Sequence, residues 1–236
     1  MFNHTLLLDR RRRLGKRFHK ANFLHKISND EICFRARVIS DKYGKVLEVG
    51  CRGDFLEKEI IENIKFSKYN KISEIEVGDF EEKDYDLIIS SLSFHYLNDF
   101  REFMLKLHKI LAPKGVLIFS IFGNDTLLDF KRKIAEIEMK NIGAAYQRII
   151  PMIRDQDISH TLNASGFTEV VVDSMRQGVV YQDLSSLARD VRLMAENNIM
   201  DSVKSKINKK VFLDLQKNYN NKVFENFDMI FATAIK

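Results

Sequence analysis

The stretch Tyr85-Asp86-Leu87-Ile88-Ile89-Ser90-Ser91-Leu92-Ser93-Phe94-His95-Tyr96-Leu97-Asn98-Asp99 decides how the chain is read. Asp86–Ser90 is continuously apolar before it stops, the pattern of a parallel strand covered on both faces. It ends abruptly in serines and aromatic residues. In an open α/β sheet, small molecules bind at that carboxyl edge. An earlier run, Val46–Val49, ends in Gly50-Cys51-Arg52-Gly53-Asp54. Two strands stopping in this way point to a nucleotide-type ligand lying across the edge.

Working outward, residues 4–40 read as two helices broken near Ser28-Asn29-Asp30, with Ser28 and Glu31 spaced as a capping box. Phe55–Asn63 reads as a helix rising from the glycine turn. Residues 64–84 are weakly patterned and leave room for two short strands, Ile64–Tyr69 and Ile72–Val77. Phe100–Leu111 carries Phe103, Leu107, Ile110 and Leu111 on one helical stripe. Pro113-Lys114-Gly115 turns the chain into the buried strand Val116–Phe122. A long helix over Asp125–Asn141, a strand at Glu169–Asp173, a helix over Tyr181–Asn198 and a last strand at Phe227–Ala234 complete the reading. Strand–helix alternation predicts a parallel sheet with helices on both faces. The expected class is α/β, with seven mostly parallel strands, in a single domain over 1–236. That domain would comprise a basic helical region (1–40), a ligand-binding core (41–135) and substrate-side helices with terminal strands (136–236).

The 236 residues are 45% apolar, enough for a sizeable core. There is no run of eighteen apolar residues, so no membrane span is expected. Met1–Leu8 is too short and interrupted for a secretory signal. Cys33 and Cys51 have no metal-ligand spacing and read as reduced thiols of a cytoplasmic, monomeric protein. The formal charge of +5 is concentrated in Arg10–Arg13, Lys16, Arg17 and Lys20. Such a segment is either a solvated helix face or a docking surface for an acidic partner. Nucleic acid is not expected, because no recognition-helix, zinc-finger or RNA-binding pattern is present.

Glu48, at the end of the first strand, can accept hydrogen bonds from ligand hydroxyl or amino groups. Gly50, Cys51, Arg52 and Gly53 form a turn that would let backbone approach a ligand, although short glycine turns follow many strands. Asp79 could accept a hydrogen bond from an adenine amine, and Phe80 could pack on its ring. Ser90 and His95 lie at or just past the fourth strand's end. His95 has no carboxylate placed for a triad, and no nucleophile elbow is present. Tyr146, Arg148, Tyr181 and Arg192 are the residue types that clamp a carboxylate. No metal site is expected.

The runs Ser90–Asp99, Leu111-Ala112-Pro113-Lys114-Gly115 and Phe122-Gly123-Asn124-Asp125-Thr126-Leu127 resemble class I S-adenosylmethionine-dependent methyltransferases. More narrowly, they resemble the group containing malonyl-carrier-protein methyltransferase of biotin synthesis and the methyltransferase-like assembly factor of mitochondrial complex I. The arginine cluster and Leu187–Asn198 match the assembly-factor branch better. The resemblance implies S-adenosyl-L-methionine as cofactor, with Glu48, Gly50 and Gly53 in its first loop, Asp79 by the adenine, and Ser90 to His95 under the methionine part. It departs in the loop, where Arg52 and Asp54 stand at glycine positions. It departs again after the second strand, where Tyr69 and Asn70 occupy the place of the ribose-binding acid. The resulting expectation is methyl transfer to the free carboxylate of a malonyl-acyl carrier protein docked on Arg10–Lys20. The alternatives are an arginine hydroxylase of the assembly-factor type and a non-catalytic binding protein.

Overall fold

The computed structural model describes residues 1–73, 75, 80–200, 207–220 and 222–236. Its contacts gather into two compact units. One, the sheet unit, holds Phe23–Gly123, Ile153–Met175 and Met229–Lys236; the other, the helical unit, holds Met1–Asn22, Asn124–Met152 and Arg176–Asp228. No helix among the described residues is long and apolar enough to cross a membrane.

In the sheet unit, β1 (Lys42–Val49), β2 (Lys65–Ile72), β3 (Tyr85–Ser90) and β4 (Leu111–Phe122) are parallel neighbours. β5 (Glu169–Tyr181) and β6 (Val223–Ile235) each give residues to both units. The six-stranded order is β2-β1-β3-β4-β6-β5, with β6 antiparallel to β4. This is the mostly parallel, Rossmann-like class I architecture that the sequence predicts. Of the strand expected over Ile72–Val77, Ile72 closes β2, and Glu74, Glu76 and Val77 lie outside the described residues.

Burial explains the composition of each strand. Val46, Leu47 and Val49 of β1 and Leu87, Ile88 and Ile89 of β3 are fully buried, because helices cover both faces of a parallel sheet. Among the described residues β2 is paired only through β1, and it carries Lys65, Lys68 and Lys71; charged side chains on such an edge discourage pairing with another chain.

The first helices differ from expectation. α1 (His4–Leu14) and a 3-10 segment (Gly15–Lys20) belong to the helical unit, and α2 (Phe23–Ile39) runs unbroken through Ser28 in the sheet unit. Ser28 is no cap. Its buried hydroxyl bonds to the hydroxyls of Ser91 at 2.8 Å and Ser120 at 2.6 Å, so it tethers α2 to the ends of β3 and β4. α3 (Phe55–Asn63) packs against α2. α4 (Phe100–Ile110) starts at Asp99, whose carboxylate accepts from the Glu102 N–H at 2.8 Å, and buries Phe103, Met104, Leu107 and Ile110. Pro113 and Gly115 fall inside β4, with Lys114 at φ 64° taking up the turn. α6 (Asp155–Ala164) also belongs to this unit.

The helical unit contains α5 (Leu128–Ile142), α7 (Leu184–Leu193) and α8 (Lys209–Asn218) beside α1. α7 is shorter than the helix expected over 181–198, since Asp183 caps its start through the Ser186 N–H at 2.7 Å and a turn follows Leu193. Arg10 reaches from α1 to the carbonyls of Asn197 at 3.2 Å and Asn198 at 2.9 Å. Those carbonyls lie just past α7, and the cation satisfies them.

Candidate functional site

The carboxyl edge of the parallel strands is built around Glu48. Its side chain is wholly buried, and it is held by two residues of β2. The Tyr69 hydroxyl donates to Glu48 Oε2 at 2.5 Å, and Lys71 Nζ lies 3.0 Å from Oε1. Tyr69 and Lys71 are two apart on a strand, so both side chains point to the same face. The β1–β2 register places Lys71 directly opposite Glu48. Lys71 also donates to the Gly53 carbonyl at 2.6 Å and lies 3.1 Å from Glu57 of α3. One ammonium thus joins the strand end, the glycine turn and the helix after it.

Burial raises the Glu48 carboxyl pKa above its ordinary value, against the downward pull of the Tyr69 hydrogen bond and the Lys71 charge. Lys71 is also raised, its two carboxylate neighbours outweighing its own partial burial. Tyr69 is pushed up strongly by burial and by the Glu48 charge, so it acts as a donor and not as a phenolate.

Gly50 sits at φ 71°, where a Cβ would stand 3.2 Å from both Ile75 and Ser93 side-chain carbons. Its N–H donates to the Ile72 carbonyl at 2.7 Å and its carbonyl accepts from Ser93 Oγ at 2.6 Å. The Cys51 thiol is buried and accepts the Ser91 N–H at 3.1 Å, which gives it a structural task. Arg52 is half-buried and Gly53 exposed. Phe80 sits 6.2 Å, ring to ring, from Phe103 of α4. Asp79 lies outside the described residues. Ser90 is fully buried at the end of β3, and its hydroxyl has no hydrogen-bond partner among the described residues. His95 is buried against Tyr96 and Phe122, at ring distances of 4.3 and 5.3 Å.

Tyr146, Arg148, Tyr181 and Arg192 belong to the helical unit, whereas His95 belongs to the sheet unit. Arg148 is engaged by Glu138, a wholly buried carboxylate on α5, through Nε at 2.8 Å and through Nη2. Glu138 also accepts the Tyr146 N–H at 2.9 Å, and the Arg148 guanidinium lies 5.2 Å from the Tyr146 ring centre. Tyr181 is buried with no partner for its hydroxyl among the described residues, and burial raises its pKa. Arg148 and exposed Arg192 line one cavity of about 800 Å³ within the helical unit.

Two residues central to this geometry escaped the sequence reading. Lys71 was detectable, since it shares a strand face with Tyr69 next to Glu48. Glu138 was hidden in an ordinary amphipathic helix.

Residues 5–172 match the family described as Methyltransferase domain, well over half of the chain. The chain is 30% identical over 199 residues to the human protein named arginine-hydroxylase NDUFAF5, mitochondrial, covering 76% of this chain and 58% of that protein. It is 30% identical over 148 residues to malonyl-[acyl-carrier protein] O-methyltransferase 1 of Coxiella burnetii, covering 62% and 50%. The chain therefore spans about half the length of these relatives. Among solved structures, a Bacillus halodurans C-125 protein superposes with a TM-score of 0.56 at 10% identity, covering 86% of this chain and 96% of that one. Haemonchus contortus phosphoethanolamine N-methyltransferase 2 does so at 0.51 and 12%, covering 88% and 52%. At these identities the superpositions speak for the fold. With the parallel sheet, the buried acid ending β1 and the glycine turn after it, the matches show that this chain belongs to the methyltransferase-domain family of class I enzymes, homologous to both NDUFAF5 and malonyl-carrier-protein methyltransferase.

Proposed function

We propose that the chain binds S-adenosyl-L-methionine at the carboxyl edge of β1, β2 and β3 and modifies a protein, as an arginine-hydroxylase-type member of its family. The observation that carries this reading is the reach of the match. At equal identity, the similarity to NDUFAF5 covers 76% of the chain, against 62% for the Coxiella malonyl-carrier-protein methyltransferase.

The residues at the edge fit such a cofactor. The buried Ser90 hydroxyl is left with bonding capacity, and Glu48 and Glu57 offer carboxylate acceptors. Ribose hydroxyls accept as well as donate, so Lys71 can serve them as a donor, in exchange for its Gly53 or Glu57 bond, where relatives are expected to use an acid. Gly50, Arg52 and Gly53 would border the methionine end, and Phe80 the adenine. The cofactor carries a sulfonium-activated methyl group; the protein's part is orientation. Hydroxylating an arginine carbon places one oxygen atom in a C–H bond, so that reading also requires dioxygen and a two-electron donor from outside the chain. Cys33 and Cys51 are buried thiols and not a disulfide, which suits a reducing compartment such as the cytoplasm.

One observation favours methylation of a malonyl-carrier-protein carboxylate instead: the cavity in the helical unit is lined by cations, and the basic segment Arg10–Lys20 offers a surface for an acidic carrier. A carboxylate acceptor is already ionised and requires no general base.

Calorimetry with S-adenosylmethionine tests the shared step, and absence of heat at millimolar ligand favours the binding-protein reading. Mass spectrometry then separates the reactions. Gain of one oxygen on an arginine-containing protein substrate supports the first; labelled methyl on malonyl carrier protein supports the second.

A further inference from the structure

Within the helical unit, five cations converge on the cavity of about 800 Å³: Arg10 and Arg13 of α1, Arg148, Arg192 of α7 and Lys209 of α8. Among the described residues that line it there is no aspartate or glutamate. Two of the cations are committed. Arg10 serves the carbonyls of Asn197 and Asn198, and Arg148 is neutralised by Glu138. The other three have no carboxylate partner in the described residues: Arg13 donates only to the Asp9 carbonyl, at 3.3 Å, and neither Arg192 nor Lys209 has an ion pair. All three are exposed, so water and salt screen much of their mutual repulsion, and an anion held among them offsets the remainder.

Apart from Gln147, Asn197 and Asn198, the rest of the lining is aliphatic and aromatic. Leu14, Phe130, Leu187, Val191 and Phe212 face the same space. The volume falls in the range of about 300–1,000 Å³ typical of sites for ligands of a few dozen atoms. A small inorganic anion would leave this apolar lining uncovered. A cationic ligand, including an arginine side chain, would meet the cations. From this pairing of unpartnered cations with an apolar lining, we infer that the helical unit holds a binding site for an amphiphilic anion: a single aliphatic chain ending in a carboxylate, with its head toward Arg13, Arg192 and Lys209. The inference goes beyond the function proposed above and does not depend on which reaction the sheet unit supports.

The test is binding of dodecanoate, below its micelle concentration, to the full chain by calorimetry. Dodecyltrimethylammonium serves as the control of opposite charge, and acetate as the head without the chain. Dodecanoate should bind, the two controls should not, and the double variant Arg192→Glu/Lys209→Glu should lose roughly tenfold or more in affinity. Added salt should weaken binding to the unmodified chain. Ala188→Phe, at a half-buried lining position on α7, should block the cavity without changing charge. If the double variant does not fold, Ala188→Phe and the salt series decide. Equal binding of both surfactants, binding of neither, or dodecanoate binding indifferent to salt and to Ala188→Phe would overturn the site. So would binding to anionic phosphatidylglycerol vesicles with none to free dodecanoate, since that would make the cations a membrane-facing surface.

Discussion

Lys71 lies 3.0 Å from the buried carboxylate of Glu48, directly across the β1–β2 register, and bonds the Gly53 carbonyl at 2.6 Å. Removing one partner of such a pair strands a charge out of water, whereas removing both does not. Lys71→Met should therefore destabilise the chain by about 1–3 kcal/mol, reduced from a fully buried case because Lys71 is partly exposed. Glu48→Gln/Lys71→Met should recover most of the loss. Burial already raises the Glu48 pKa, and losing Lys71 raises it further. A carboxyl raised in the folded state favours folding once it is protonated, and that contribution is lost as pH rises through its folded pKa. The Lys71→Met defect should accordingly be largest at neutral pH and shrink in acid. Urea unfolding at the two pH values checks this; an equal defect at both would refute it.

Glu138 and Arg148 form the second such pair, and here both side chains are almost completely enclosed. Arg148→Met should cost about 3–5 kcal/mol, with recovery in Glu138→Gln/Arg148→Met. Denaturant titration reads both. A single-variant loss well under 1 kcal/mol would mean that Arg148 is available for substrate and is not spent on Glu138.

His108 on α4 contacts the Gly166 carbonyl through Nε2 at 3.1 Å and stacks edge-on against Phe167. Partial burial, then the nearby Lys236 charge, lower its pKa from 6.5, against the raising effect of the Gly166 bond. A lowered histidine contributes stability that is present above the unfolded pKa and is lost as pH falls through the folded one. Unfolding free energy should drop more steeply with acidity below 6.5 in the parent chain than in His108→Gln. Parallel pH profiles would show that the imidazole is not linked to folding.

Gly50→Ala places a Cβ at φ 71° and within 3.2 Å of two side chains. The strain should cost about 1–3 kcal/mol. Because the same turn borders the proposed cofactor edge, calorimetric heat with S-adenosylmethionine should fall as well. Unchanged melting and unchanged heat would show that the turn tolerates a side chain.

The sheet was legible because β1, β3 and β4 are bounded, continuously apolar runs, and burial on both faces leaves few other readings for Leu87–Ile89 or Ile118–Ile121. The break in the first helical region was misplaced because Ser28 and Glu31 imitate a cap. The serine's bonds go instead to Ser91 and Ser120, which are 63 and 92 residues away and cannot be found from local spacing. The edge site was legible at Glu48 and the glycine turn, where side-chain type and strand position agree. Lys71 was overlooked because β2 was expected to end earlier, near Tyr69. Arg148 and Arg192 do border a common cavity, but the buried acid that occupies Arg148 belongs to an unremarkable helical pattern.

The strand order has a consequence for synthesis. β6 is made after the other five strands of the sheet, yet it lies between β4 and β5. Until β6 is made, β5 has no β6 to join it to the sheet, and one side of β4 waits uncovered. The nascent chain can assemble β1 to β4 early, but the sheet closes only once β6 has emerged, and a ribosome stalled before β6 would hold an exposed, apolar β4 edge prone to association.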